Sequence, residues 1–177
     1  RVSLVLDPKV FKAYDVRGIH PTELDEEGAY AIGRAYVEQF EPRVIAVGRD
    51  MRLAAPAMAA AVIDGAADGG ADVLDLGIVP TPLTYFAAHT AGVDGICMIT
   101  GSHNPPEYNG LKVGLGSATF HGEEIQALRR LAESGAFAAG AGAVTPYDVV
   151  TPYLAYVKAN LRFGKRRLKV VVDAGNG

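Results

Sequence analysis

The stretch ITGSHNPPEYNGLK, residues 99–112, puts a hydroxyl (Ser102), an imidazole (His103), a carboxamide (Asn104) and an ammonium group (Lys112) into one short segment. Gly, Ser, Asn and a Pro pair are turn formers, so a plain connector accounts for most of its composition. Two chemistries compete with that reading. Ser102 attacking with His103 as its base would be hydrolase chemistry. However, neighbours in an extended segment send their side chains apart, and the Gly-x-Ser-x-Gly elbow that exposes a nucleophilic serine is absent. A phosphate site suits the segment better. Gly101 permits close backbone approach, and His103, Asn104 and Lys112 supply donors. A phosphoryl group on Ser102 would carry nearly two negative charges, asking for cations such as Arg17 and Lys112.

Alternating elements must position these groups. TELDEEGAYAIGRAYVEQF opens with Thr22 and acidic residues at a helix start, and Ala29, Ile32, Tyr36 and Phe40 recur at helical spacing. RVIAVGRD predicts a strand, and LAAPAMAAAVIDGAADGG a helix with Pro56 in its first turn and Met58, Val62 and Ala66 on one side. ADVLDLG, then PTPLTYFAAHTAG, then VDGICMIT continue as strand, helix and a strand covered on both faces. LKVGL, after a turn at Asn109-Gly110, predicts a fourth strand. GEEIQALRRLAESG is a helix stopped by Gly135, AFAAGAGAVTP a flexible connector, PYLAYVKANLRF a helix, and KVVVDAGNG a strand running into a glycine-rich turn that ends at Gly177.

Alternation of this kind specifies an α/β fold, a three-layer α/β/α sandwich over a mixed, mostly parallel sheet. Ligands gather at the carboxyl ends of strands in such folds, which singles out VGRDMR, GIVPTP and ITGSHNPPEYNG, with KAYDVRG (residues 12–18) as a fourth contributor.

Composition narrows the classes further. With 177 residues, 49% hydrophobic and 21% charged, the chain has enough apolar area for a compact globule. A net charge of -3 without a basic run beyond KRRLK gives no footprint for nucleic acid or an anionic membrane. The lone Cys97 excludes an internal disulfide and a thiolate metal site, and His20, His89, His103 and His121 form no short-spaced ligand pair. No apolar run reaches membrane-spanning length and no signal layout begins the sequence, so the expected location is cytoplasmic.

TGSHNPPEYNGLK is very similar to the phosphoserine loop of the α-D-phosphohexomutases, and KAYDVRG resembles that family's N-terminal Tyr-Asp-x-Arg-Gly segment. VGRDMR, PTPLTYFA and VVVDAGNG resemble the family in the same order, so the likeness covers nearly the whole chain. The wording of the two main motifs is most similar to the bacterial phosphomannomutase/phosphoglucomutase branch. Phosphoglucosamine mutases are the alternative, with Ala-Ser-His-Asn-Pro and Thr-Asp-Gly-Ile-Arg-Gly in those places. A non-catalytic phosphosugar-binding module and a merely regulatory phosphosite at Ser102 are the rivals from other classes.

The resemblance implies reversible phosphate transfer between C1 and C6 of glucose or mannose. Ser102 would carry the phosphoryl group, and glucose or mannose 1,6-bisphosphate would act as intermediate and activator. By the same likeness Lys112 and Arg17 would neutralise charge and assist proton transfer, His103 and Asn104 would shape the loop, and Tyr14 would lie near the substrate. Mg²⁺ would be held partly through the phosphate on Ser102. Its Asp-x-Asp-x-Asp-Arg loop belongs to the family's second domain and has no match in these residues, so the aspartate ligands are expected beyond Gly177. The chain is thus expected to be the first domain (1–160) of a four-domain mutase, with 161–177 as linker and first strand of the second domain, the remaining domains being its partners. Two assignments have structural rivals: Arg17 as ion-pair partner of Asp15, and Arg49, Asp50 and Arg52 as braces of a loop. GLGSATFHGEE, residues 114–124, departs from the family's usual pattern after the lysine strand.

Overall fold

Short apolar runs become strands and the amphipathic stretches between them become helices in the computed structural model, which describes residues 4–116 and 118–175. In chain order these are β1 (Val16–Ile19), α1 (Glu26–Phe40), β2 (Val44–Arg49), α2 (Ala55–Asp68), β3 (Asp72–Ile78), α3 (Thr81–Thr90), β4 (Gly95–Ile99), β5 (Tyr108–Leu115), β6 (Ala118–Thr119), α4 (Glu123–Ser134), β7 (Val144–Pro146) and α5 (Val150–Asn160). A short 3-10 turn, Pro8–Val10, precedes them.

The strands form one sheet in the order β1-β5-β4-β2-β3-β7, with β6 hydrogen-bonded to β5. It is parallel through β4, β2, β3 and β7 and antiparallel at β1, β5 and β6. Helices cover both faces, giving the expected α/β/α layers. On one face α1, α2 and α4 bury Ile32, Tyr36, Met58, Val62, Ile125 and Leu128 against the sheet. On the other, α3 and the start of α5 close over Ala46, Ile96 and Met98. β4 is buried along its whole length, which explains why it reads as a continuous apolar run rather than an alternating one.

Of the expected inward stripes, Ala29, Ile32 and Tyr36 of α1 and Met58, Val62 and Ala66 of α2 are buried, while Phe40 at the end of α1 is half-buried against the core. The N-cap of α1 is Asp25 rather than Thr22; the Asp25 carboxylate accepts from the Gly28 N–H at 2.9 Å. Asn109-Gly110 is not a turn but lies inside β5, opposite Gly18 and Arg17 of β1. The β1 ladder overrides the local turn preference there. β1 itself and β7 carry too few residues to show a period. Pro146, which cannot donate to a ladder, is accommodated because β7 is the edge strand.

The expected strand at KVVVDAGNG is not formed: residues 161–175 have no helix or strand, and Val170, Val171 and Val172 stay exposed without a neighbouring strand to pair with. The first part of its turn does form, with the Asp173 carboxylate accepting from the Gly175 N–H. Asn176 and Gly177, where that turn was expected to end and past which the aspartate ligands of Mg²⁺ were expected, lie outside the described residues.

None of the described helices is long and apolar enough to cross a membrane.

Candidate functional site

Parallel strands β2, β3 and β4 end on the same side of the sheet, and this brings the loops that follow them together. Asp50, Met51, Arg52 and Leu53 after β2, Val79, Pro80 and Thr81 after β3, and Thr100, Ser102 and Asn104 after β4 line a cleft of about 630 Å³. Beyond the same serine loop lies a second, more polar cleft of about 520 Å³, lined by Lys12, Asp15, Arg17, Ser102, His103, Asn104, Pro105 and Tyr108. Ser102 is shared by both. The four segments singled out in the sequence therefore converge on one serine.

The loop is built tightly. Ser102 sits in the left-handed region at φ 54°, a conformation a non-glycine residue keeps only when its surroundings hold it there. Its N–H donates to Thr100 Oγ1 at 2.8 Å, and the Asn104 N–H closes a turn onto the Gly101 carbonyl at 3.0 Å. The resulting kink leaves the Ser102 side chain exposed. It also brings Ser102 Oγ to 3.3 Å from His103 Nδ1, which corrects the expectation that these neighbours must point apart. That expectation assumed extended backbone, and φ 54° is not extended. Among the described residues no third side chain orients the imidazole, as a hydrolase triad would require.

Facing the serine is a charge cluster centred on a single carboxylate oxygen. Asp15 Oδ2 accepts from Arg17 Nη2 at 2.6 Å and from Lys112 Nζ at 3.0 Å. β1 and β5 are antiparallel neighbours, with Val16 opposite Leu111 and Arg17 opposite Gly110, so sheet register puts these groups side by side. Arg17 is only 5% exposed, and its Nη1 has no hydrogen-bond partner among the described residues. A buried cationic donor left open beside a cleft fits an anion.

The rival reading of Arg17 as a partner of Asp15 is thus realised, and it coexists with an open Nη1. Lys112 lines neither cleft itself and reaches the cluster through Asp15. Tyr14 is 74% exposed and also lines neither.

Sequence reasoning missed Lys12 and Tyr108 as lining residues and treated Asp15 only as a rival partner for Arg17. KAYDVRG contained part of the signal, since Asp15 and Arg17 two residues apart form the ion pair, while the second cation, Lys112, comes from β5.

Fold and site together define an α/β/α domain that presents a serine hydroxyl at the carboxyl edge of its sheet beside paired cations. The family described as phosphoglucomutase/phosphomannomutase, alpha/beta/alpha domain I, matches residues 8–139, and the chain belongs to this family. It is 43% identical to the phosphomannomutase/phosphoglucomutase of Pseudomonas aeruginosa strain PAO1 over 97% of its own length and 38% of that protein's. It is 44% identical to a phosphoglucomutase of Neisseria meningitidis serogroup B, covering 95% of this chain and 37% of that one. A crystal structure of a phosphoglucomutase/phosphomannomutase family protein from Burkholderia thailandensis superposes with a TM-score of 0.91 at 39% identity, covering 98% of this chain and 40% of that one. The chain therefore spans well under half the length of these relatives.

Proposed function

We propose that the protein containing this chain is a phosphohexomutase, interconverting hexose 1-phosphate and hexose 6-phosphate of glucose or mannose through a phosphoryl group carried on Ser102. One observation carries the reading: an exposed, left-handed Ser102 shares a cleft with Arg17, whose buried Nη1 has no hydrogen-bond partner among the described residues. Names of the relatives at 43% and 44% identity supply the substrate class.

Transfer of this kind needs positioning and charge neutralisation more than covalent activation by the protein. A sugar hydroxyl attacks phosphorus, the bond from phosphorus to Ser102 Oγ breaks, and Oγ takes up a proton. His103 Nδ1, at 3.3 Å, is placed to share that proton. Arg17 Nη1 offers the phosphoryl oxygens a donor, while Lys112, tied to Asp15, adds positive charge beside it. The sugar bisphosphate then turns, its other phosphate returns to Ser102, and the isomer leaves. Asn104 lines the cleft and contributes to loop shape; Tyr14, exposed outside it, would meet a sugar only where another domain covers this edge.

The family generally depends on Mg²⁺, a hard cation suited to a phosphoryl oxygen. Among the described residues no group of three His, Cys, Asp or Glu side chains stands together, and Asp15 is committed to two cations. These residues alone do not make up a metal site. Our reading puts the aspartate ligands beyond Gly177, and the contacts that choose between sugars in further domains. No step above passes through the ion.

The test is a mutase assay of the full-length protein with glucose 1-phosphate and mannose 1-phosphate in the presence of Mg²⁺ and a catalytic amount of glucose 1,6-bisphosphate. Wild type is expected to gain one phosphoryl group by intact mass on incubation with the bisphosphate. Ser102→Ala should gain none and lose at least about 10³-fold in kcat, the scale at which loss of a covalent carrier is felt. Phosphate incorporation by Ser102→Ala equal to wild type would refute the carrier role.

A further inference from the structure

The two terminal nitrogens of the Arg52 guanidinium lie against the serine loop and donate to its carbonyls. Nη2 donates to the carbonyls of Ser102 at 3.3 Å and Asn104 at 2.6 Å, and Nη1 donates to those of Tyr108 at 3.0 Å and Pro105. Nε faces Asp50 Oδ2 at 3.3 Å. Asp50 completes the frame, accepting from the Gly101 N–H through Oδ2 at 3.2 Å and from the Arg52 N–H through Oδ1 at 3.0 Å. The two terminal nitrogens of the guanidinium carry four N–H donors in a fixed planar fork, and here they meet four carbonyls, while Nε is held by charge beside Asp50. None remains for a substrate phosphate. That distinguishes Arg52 from Arg17, which keeps Nη1 open.

Resting on the mutase reading above, we infer that Arg52 is a positioning residue. It staples four carbonyls of the loop so that Ser102 is held left-handed with its hydroxyl presented to the cleft, and it does so without touching substrate. Gly101 is the other half of the device. A Cβ built there would overlap the guanidinium carbon and Nε of Arg52, so only glycine lets the arginine lie flat against the loop. Turn propensity alone would not select φ 54° at a serine; a multidentate cation under the chain does. Lysine cannot substitute, because a point ammonium with three donors cannot span the same set of carbonyls.

The experiment uses the full-length protein with Arg52→Lys, Arg52→Ala, Gly101→Ala and the double variant Arg52→Ala/Gly101→Ala. Three quantities are read: steady-state kcat and KM, hydrogen exchange of the 101–108 amides, and thermal unfolding. Displacing the reacting oxygen by an ångström costs about 10²-fold in rate, so kcat should fall roughly 10- to 100-fold in both Arg52 variants with KM within about threefold. Exchange of 101–108 should quicken while helices α1 and α2 keep wild-type protection. Since both residues serve one staple, the double variant should be no slower than the worse single one, and added guanidinium ion should restore part of the Arg52→Ala rate.

A loss confined to KM would mean that Arg52 touches substrate and would overturn the inference. So would additive losses in the double variant, or wild-type kcat and exchange in Arg52→Lys. A variant that unfolds is read through Arg52→Lys, whose conservative stem preserves packing. Should wild type lack mutase activity altogether, the mutase reading falls, and loop exchange decides the staple by itself.

Discussion

Two cations on one carboxylate oxygen is a lopsided arrangement unless something else is to share them. Asp15 Oδ2 holds Arg17 and Lys112 together, so under the proposed function the pair stands ready for a phosphoryl group instead of dispersing into solvent. Asp15→Asn removes the charge but keeps the shape. In the full-length protein it should leave sugar-phosphate binding equal or tighter, because the local field becomes more positive. It should lower kcat by about 10-fold or more, because the cations lose their common anchor. Arg17 is buried, and leaving it short of its counter-charge should also cost about 1–3 kcal/mol in urea denaturation. Weaker binding with unchanged kcat would show that Asp15 itself faces the sugar. At this scale the serine, the imidazole and both cations were legible from residue type and motif. The role of Arg52 was legible only as a general brace, because carbonyl acceptors leave no trace in a sequence. The Ser102–His103 contact was misjudged for a related reason: a single left-handed φ is set by what lies under the loop.

Helix α1 meets α2 backbone to backbone, and the approach is made possible by a reciprocal pair of glycines. A Cβ at Gly33 would stand 2.5 Å from the Val62 carbonyl oxygen, and one at Gly65 would overlap the Tyr30 carbonyl. Two effects oppose each other in Gly65→Ala. Helix propensity favours alanine by about 1 kcal/mol, while forcing a methyl against a backbone oxygen in a packed interface costs about 1–3 kcal/mol. Because backbone cannot swing aside as a side chain can, the steric cost should win. We expect a net loss of up to about 2 kcal/mol in unfolding free energy by denaturant titration; a stabilised variant would show that the helices can separate without penalty. Helices such as α1 and α2 were legible from their period and the central strands as short continuous apolar runs between turn signals, whereas β1 and β7 depend on ladders with β5 and β3. Asn109-Gly110 shows the limit from the other side, a strong local turn signal overruled by the pairing of β5 with β1. The valines of KVVVDAGNG show it again, since a strand-like run without a partner to pair with stays irregular up to the last described residue, Gly175.

The two cores are joined by one sheet, and Cys97 sits in the middle of it. Its strand, β4, is hydrogen-bonded on one side to β2, with Cys97 opposite Val47, and on the other to β5, with Cys97 opposite Val113. Burial leaves the thiol 2% exposed and pushes its pKa up to about 12. At about pH 8, below that value and near the ordinary range of a free thiol, it is therefore both shielded and protonated in the native state, and a thiol reagent can reach it only when the central strand opens. Its side chain packs in the core beneath α1 and α2, so that helix layer has to leave the sheet before the thiol can be reached. A chain whose two helix layers share one sheet should lose both together. Cys97 labelling should accordingly be slower in native buffer than in urea by orders of magnitude, and its denaturant midpoint should coincide with loss of far-UV circular dichroism. Labelling that precedes the circular dichroism change would mean that one helix layer detaches first, leaving β4 accessible. The cleft around Ser102 would then rest on a partly open sheet, because its lining comes from loops at the ends of β2, β3 and β4 together.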